Sequence, residues 1–575
     1  MASKEDSSHE EDDKHFIPVI IHDSGTGPLY KKGRFLGKGD FAKYYEVTEV
    51  ETGNIYACKI ISKKIISGNQ KDTIVQGISI HRSLNHKHVV GFNSFFDDFH
   101  NIYIILELCR RRSLLELHKR RQALSEPEVR YYLTQILLGV DYLHKKNIIH
   151  RNLILENLFL NDELQVKIGG FGFAAGVEYQ GKCEEYLWGT CNYIAPEVLM
   201  GKGHSFEVDV WAIGCILYIL LFGKPPFEAT TPEELHSRIK RCQYGLPCGT
   251  MVSNCAVKLI RDILQPEPKL RPKVEDILHS EFLSGYIPKQ LPLSCLTMAP
   301  RFTAAGSGLS RNPFREINNI DYGGASSAAS AVKKTAAPGI SAVQEELLLN
   351  LDKLGNQLLT TLQTNPASKV RTTFGDEATD PAAQPVVWIT KVMDYSSCKI
   401  GFGYQLSDKS VGVFFNDKTK LVLLADFENV HYYTDAGEES YHTMTEFPYA
   451  LKKKMGLLTL FRNLFVKLKP SRTGGVASRE SDSLSRIPCM FQWLDTSKAV
   501  LMHLNNGTLQ VNFTDNTVII LCPHMGAVTY IDDKKNFQTY CFSTIRENGC
   551  SAALEERLKH ALLYLTIMEI RYKVQ

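Results

Sequence analysis

The chain has 575 residues, 44% hydrophobic and 22% charged, with a formal net charge of +3. This is a globular composition, long enough for two sizeable cores and too nearly neutral for a bulk nucleic-acid binder. The N-terminus is acidic and polar rather than signal-like. The longest apolar run, Ile213 to Phe222, is about half of the roughly 20 residues that span a bilayer. It reads as a buried core helix, and no membrane partner is expected. Fourteen cysteines, with no C-x-x-C pair and no zinc-type histidine cluster, read as reduced thiols of an intracellular protein.

Residues 1–28 carry Glu5, Asp6, Glu10, Glu11, Asp12 and Asp13 and are expected to be a solvated tail. A strand-rich stretch follows, with Gly37-Lys38-Gly39 between extended apolar residues. Two glycines at that spacing suit a loop whose backbone N–H groups cover phosphates, although Asp40 is an unhelpful charge there. Lys59, in Tyr56-Ala57-Cys58-Lys59-Ile60, stands at the right distance downstream to reach those phosphates. Further on come His150-Arg151-Asn152-Leu153-Ile154-Leu155-Glu156-Asn157, Gly170-Phe171-Gly172, Ala195-Pro196-Glu197 and Asp209-Val210-Trp211. In this order and spacing they resemble the protein kinases, whose template reads H-R-D-x-x-x-x-N and D-F-G. The flanking text Ile78 to Leu84, Leu106 to Arg121 and Gly203 to Asp209 narrows the resemblance to the polo-like kinases, over nearly the whole chain. Asp376 to Pro385 is similar to the insect branch and implies a diverged paralogue.

The resemblance implies ATP-dependent phosphoryl transfer to protein Ser or Thr, with Gly37, Gly39, Lys59, Glu107 and Cys109 at the nucleotide. The chemistry departs from that template. Asn152 stands where an Asp accepts the substrate proton, and an amide is no carboxylate base. Ile154 replaces the Lys that meets the γ-phosphate, while Arg151 is kept. Asn157 remains as one metal ligand, but Gly170 removes the carboxylate that bridges Mg²⁺ to the phosphates, so the metal is weakly held. The αC Glu that orients Lys59 is Gly77, with Gln76 as a weak substitute, and a glycine costs a helix about 1 kcal/mol. In the activation loop Tyr186 takes the place of the phosphorylatable Thr, beside Glu184 and Glu185. Those acids either pair with Arg151 in mimicry of a phosphate or flank a mobile loop. The expectation is a pseudokinase. The alternatives are a slow Ser/Thr kinase, in which Asn157 and Lys59 suffice or Glu156 replaces a lost carboxylate, and an ATP-binding switch without transfer. Glu197, Arg271 and Asp209 match structural positions of the kinase C-lobe.

After residues 29–286, the kinase-like domain, small-residue stretches mark a linker over 287–380. Within it Leu347, Leu351, Leu354, Leu358 and Leu362 recur at helical spacing, which matches the family's cap helix. Residues 381–575 hold a repeat: Leu406, Asp417 and Tyr432 correspond to Leu504, Asp515 and Tyr530, each 98 residues apart. Each copy reads as strands closed by a helix, with Leu451, Met455, Leu458, Phe461 and Phe465 in the first and Leu554, Leu558, Leu562 and Leu565 in the second. The pair resembles tandem polo boxes, about 388–466 and 487–568. The expected class is α+β multidomain, a bilobal protein-kinase fold followed by two boxes, each an antiparallel sheet plus helix. In the family a Trp and a His/Lys pair clasp a phosphopeptide. Here those slots are Val392, Asn516 and Val518, so phosphate-dependent docking is expected to be weak or absent, with Lys391 a nearby cation that could compensate. The resemblance implies protein partners in the polo pathway, polo kinase itself among them, and placement at centrosome, spindle or kinetochore.

Overall fold

The computed structural model describes residues 17–22, 27–39, 42–66, 68–177, 191–203, 205–247, 252–302, 342–369, 378–435, 437–467 and 484–574. Asp40, Glu184, Glu185 and Tyr186 lie outside the described residues, as do most of the expected tail and linker.

The first half opens with strands β1 (Ile20–His22), β2 (Leu29–Lys38), β3 (Ala42–Glu49), β4 (Ile55–Ser62), β5 (Phe92–Asp97) and β6 (Asn101–Leu106). They form one antiparallel sheet in the order β1-β2-β3-β4-β6-β5. The strand period of two decides its faces. Cys58 and Ile60 join Tyr45, Val47 and Tyr103 on one side. Ile61, and with it Lys59, turns to the other side, where Ala42, Ile104 and Ile78 of helix α1 (Gly68–Arg82) pack. Strand β1 falls within the stretch expected as tail. Its buried Ile21 pairs with Tyr30, so the sheet starts before residue 29.

The second lobe comprises α2 (Leu114–Arg121), α3 (Glu126–Lys145), α4 (Pro196–Leu199), α5 (Glu207–Phe222), α6 (Pro232–Lys240), α7 (Asn254–Ile263) and α8 (Val274–Leu278). Two short ribbons pair β7 (Ile148–Ile149) with β10 (Ala175–Gly176) and β8 (Leu158–Leu160) with β9 (Val166–Ile168). Helix α5 is buried from Val208 to Leu221, which is why its sequence shows an apolar run and no polar face. It ends where Gly223, at φ 72°, returns its N–H to the Ile219 carbonyl. Helix α3 starts in a capping box, Ser125 with Glu128. The same buried Glu128 takes both ends of the Arg121 guanidinium at 3.0 and 3.1 Å. Arg121 also bonds the carbonyl oxygens of Cys295 and Met298. With Leu291, Cys295 and Leu296 in the same core, the lobe continues past Tyr286, where the sequence placed its end.

Helix α9 (Ala342–Leu362) is the expected amphipathic helix, with Leu347, Leu351, Leu354 and Leu358 buried. The first box is a meander of β11 (Ile389–Tyr395), β12 (Gly401–Leu406), β13 (Val411–Phe414), β14 (Lys420–Leu423), β15 (Asn429–Tyr433) and β16 (Glu439–Thr443), closed by α10 (Lys452–Lys467). The second repeats it with β17 (Met490–Asp495), β18 (Ala499–Leu504), β19 (Leu509–Phe513), β20 (Val518–Cys522), β21 (Ala527–Ile531) and β22 (Phe537–Cys541), then α11 (Phe542–Asn548) and α12 (Ala552–Val574). The repeat extends to side-chain chemistry. Asp417 and Asp515 each accept the N–H and hydroxyl of the Thr two residues on, and each takes a cation from its own helix, Lys454 or Arg557. Leu351, Leu354 and Leu358 of α9 pack into the core of the second box, against α12. A separate cluster around Ile389, Phe402, Tyr404, Met490 and Met502 joins the boxes to each other. Arg112 bonds the carbonyl oxygens of Leu36 and Pro381, and Arg120 those of Ala382 and Gln384, holding the approach to the boxes on the first half.

Candidate active site

The catalytic-loop stretch is held from below. Asp209, buried near the start of α5, accepts the backbone N–H groups of His150 (2.9 Å) and Arg151 (2.8 Å), and the His144 ring at 2.9 Å. Burial alone would raise its pKa. The His144 hydrogen bond and the neighbouring histidines overcome that and hold the carboxyl below the usual range. Arg271 grips Glu197 with two hydrogen bonds of 2.6 and 2.7 Å in a buried, bidentate pair. Phe171 stands between His81 and His150, with ring centroids 4.5 and 4.9 Å away, so a column of tilted and edge-on ring contacts runs from α1 down to the loop that Asp209 braces. The His150 ring donates to the Gly169 carbonyl and accepts the Asn152 N–H.

Around this frame lie the residues that the sequence places at the site. The Asn152 backbone carbonyl accepts the Asn157 side-chain amide N–H at 2.9 Å. Ile154 packs against the core of the lobe rather than facing a phosphate. Arg151 donates its Nε to the Phe173 carbonyl at 2.6 Å. Lys59 has no carboxylate within ion-pair distance among the described residues, and its Nζ stands 6.0 Å from the Tyr44 ring centroid. Glu107 pairs with Lys167 and accepts the Gly91 N–H, and the Cys109 carbonyl caps a turn at Arg112. Glu156 lies against α2. One of its oxygens is buried without a partner, and burial raises its pKa; its charged neighbours are Glu116 and Lys119 of α2.

The two glycines are filled from their neighbours. A Cβ on Gly170, which sits at φ +79°, would stand 2.3 Å from Asn157 Cγ and 2.5 Å from both its amide atoms. A Cβ on Gly77 would stand 2.7 Å from the Phe171 carbonyl oxygen. The sequence expectation that Gly77 weakens α1 meets an unbroken helix over Gly68–Arg82, because the missing side chain admits that close backbone approach. Among the described residues no cluster of three or more His, Cys, Asp or Glu is arranged to hold a metal ion. Of the template's two side-chain ligands for Mg²⁺ only Asn157 is left, its amide N–H bonded to the Asn152 backbone carbonyl and its side-chain oxygen not used by that bond. Tyr44 went unremarked in the sequence. An aromatic residue on the strand leaving a phosphate-covering loop was the available signal.

In the C-terminal half, Val392 pairs with Tyr404 and packs against the cluster between the boxes, beside Phe402 and Trp493, whose rings are 4.4 Å apart. Gln510 holds both backbone groups of Ile389, so its sheet face looks at the first box. Val518, opposite Asn512, shares that face. Asn516 forms the turn before it at φ 67°, and Lys535 bonds its carbonyl. Lys391 gives its ammonium to the Phe465 carbonyl of α10, away from the second box. No helix of the described residues is long and apolar enough to cross a membrane.

Comparisons agree with this architecture. The protein kinase domain model matches residues 30–283, and the POLO box duplicated region matches 398–455 and 496–558. The serine/threonine-protein kinase polo of Drosophila melanogaster is 46% identical over 562 residues, 96% of this chain and 97% of the relative. The serine/threonine-protein kinase PLK1 of Xenopus tropicalis is 46% identical over 95% of this chain and 92% of its own length. The plk-1 kinase of Caenorhabditis elegans is 42% identical over 95% and 87%. Protein kinase domains as a class bind ATP and Mg²⁺, and polo boxes are protein-interaction modules. A bilobal kinase fold, two polo boxes in tandem and these identities over nearly the full length make the chain a member of the polo-like family of serine/threonine protein kinases.

Proposed function

We propose that this protein is a polo-family pseudokinase that works through protein contacts rather than phosphoryl transfer. The observation that carries the reading is Gly170, which has no side chain to hold Mg²⁺ and whose Cβ space is taken by Asn157. With it go the proton acceptor, replaced by Asn152, and the γ-phosphate cation, replaced by Ile154. A general base alone is worth roughly 10²–10⁴-fold, and charge stabilisation at the transferring phosphoryl adds more. The contacts belong to the cell-division machinery that polo kinases serve, at centrosome, spindle or kinetochore. Recruitment there does not use the phosphopeptide groove, since Val392, Asn516 and Val518 supply neither an aromatic shelf nor a charged donor.

The test is γ-phosphoryl transfer by the purified full chain to a generic acidic protein with Mg²⁺ or Mn²⁺, with Lys59→Ala as control. Rates equal to that control are expected. Transfer above it would overturn the proposal.

A further inference from the structure

The cleft between the lobes has a feature that loss of catalysis does not require. Tyr44 of β3 stands directly opposite Lys59 of β4, which stands opposite Ile104 of β6. Residues paired in this way share a sheet face, so the Tyr44 ring lies on the face that carries Lys59. It bridges two parts of the candidate site. A Cβ on Gly39 would touch its Cε2 at 3.5 Å and its hydroxyl at 3.9 Å, while Lys59 Nζ stands 6.0 Å from its centroid. Phosphates covered by the glycine loop and met by Lys59 must pass between those two groups. The ring is in that space. Its inner edge packs with the cluster of Ala42, Ile61, Ile78 and Ile104, which fixes it there.

Two other vacancies are closed by the chain itself. The Asn157 amide fills the place of a side chain at 170, and the Phe171 carbonyl fills the place of one at 77. Between them the stack His81–Phe171–His150 joins α1 to the loop braced by Asp209. In the kinase template a Lys–Glu ion pair and a metal carboxylate must also be in place. Here both of those are absent, and the ring contacts stay beside the close approaches at Gly77 and Gly170.

We infer that the protein closes its lobes with its own groups and takes no Mg-nucleotide, the Tyr44 ring, the Asn157 amide and the Phe171 carbonyl standing where triphosphate, metal ligand and αC carboxylate would be. The inference rests on the pseudokinase reading and goes one step past it: a cleft that cannot transfer phosphate is also a cleft that does not use nucleotide to hold its shape. Its closed form is then independent of cellular ATP.

The experiment is binding of a fluorescent ATP analogue to the full chain, with Mg²⁺ and with EDTA, alongside thermal melting under the same conditions. No saturable binding and no melting shift at millimolar nucleotide are expected for the wild type. Tyr44→Val, which keeps a strand-forming residue and removes the ring, is expected to gain saturable metal-free binding below millimolar nucleotide. Gly170→Asp is expected to melt lower than wild type and to gain no Mg²⁺-dependent binding, because Asn157 occupies the space. Saturable binding to the wild type overturns the inference, as does Tyr44→Val without any gain. Binding without transfer would sink this inference while leaving the pseudokinase reading in place; transfer would sink both.

Discussion

The kinase half of this molecule contains two sets of acidic positions with opposite fates. Asp209, Glu197 and Glu128 lie in the second lobe, each buried and each holding charged or backbone donors. Asn152 and Gly170 sit a few residues from that brace, where the template has carboxylates that meet substrate and metal. The difference is one of physics. A buried carboxylate whose partners depend on it cannot be removed without leaving an uncompensated charge, at about 3–5 kcal/mol. A carboxylate that faces a ligand repels its neighbours when the ligand is absent, so its loss costs the fold little. On the proposed pseudokinase reading the second set is dispensable and the first is not.

Arg271→Ala is the sharpest way to break that contrast. It strands Glu197, whose side chain is 7% exposed and has no other ion-pair partner among the described residues, and should destabilise the kinase half by about 3–5 kcal/mol in denaturant unfolding. Asn152→Ala, on the other side of the comparison, should change stability by less than about 1 kcal/mol. If the two variants unfolded alike, the division between brace and cleft would be wrong.

How far the sequence foretold this division depends on the range of the contacts involved. The helical spacing of Leu347, Leu351, Leu354 and Leu358 located α9 because burial on one helix face is a local pattern. The 98-residue repeat located both boxes and paired Asp417 with Asp515, which have the same partners. Motif spacing found the missing carboxylates. It did not find what replaced them. That Gly77 meets Phe171, or Gly170 meets Asn157, is a contact between segments far apart in sequence, and the only local meaning of a mid-helix glycine is a weaker helix. Strand β1 was missed because three residues, Ile20–His22, carry too little alternation to stand out beside an acidic tail. Tyr44 was passed over for the opposite reason: an aromatic residue in a strand is ordinary until the strand's neighbours are known.

The C-terminal half offers a control whose stability owes nothing to the cleft. Leu358→Ala removes a buried side chain that α9 places in the core of the second box, and should cost about 2–5 kcal/mol. Melting followed by a probe in that half should drop, while variants of Asn152 or Tyr44 leave it unmoved. A smaller effect is expected in the stack. His81 is buried with its Nε2 donating to the Val90 carbonyl, and burial lowers its pKa to about 4. The depressed value means the folded state resists a proton that the unfolded state binds from about 6.5 downward. Stability from the neutral ring is therefore complete above pH 6.5 and lost as pH falls toward 4, by on the order of 3 kcal/mol. His81→Phe should flatten the dependence of unfolding free energy on pH in that window by about 1.4 kcal/mol per pH unit. An unchanged slope would mean that His81 stays neutral for some other reason or titrates in both states alike.

The smallest expected effect tests whether the two boxes are equivalent in energy as well as in geometry. Lys454 reaches Asp417 and Arg557 reaches Asp515 from the closing helices, yet both aspartates are about half exposed, at 55% and 46% of the side chain. Solvent screening at that exposure limits such pairs to about 0.2–1 kcal/mol, whatever their geometry. Each cation also lies over aromatic rings, Lys454 at 5.3 Å from Phe415 and 5.5 Å from Tyr432, and Arg557 at 4.5 Å from Phe513. Arg557 is the closer of the two, and a guanidinium is more weakly hydrated than an ammonium, so the second pair should be the stronger. Double-mutant cycles with Ala at both members of each pair should give coupling below about 1 kcal/mol in either box, larger for Arg557 with Asp515. Equal couplings would assign the stabilisation to the shared Asp–Thr turn, where Thr419 and Thr517 make the same two bonds, and leave the helix cations as solvated neighbours.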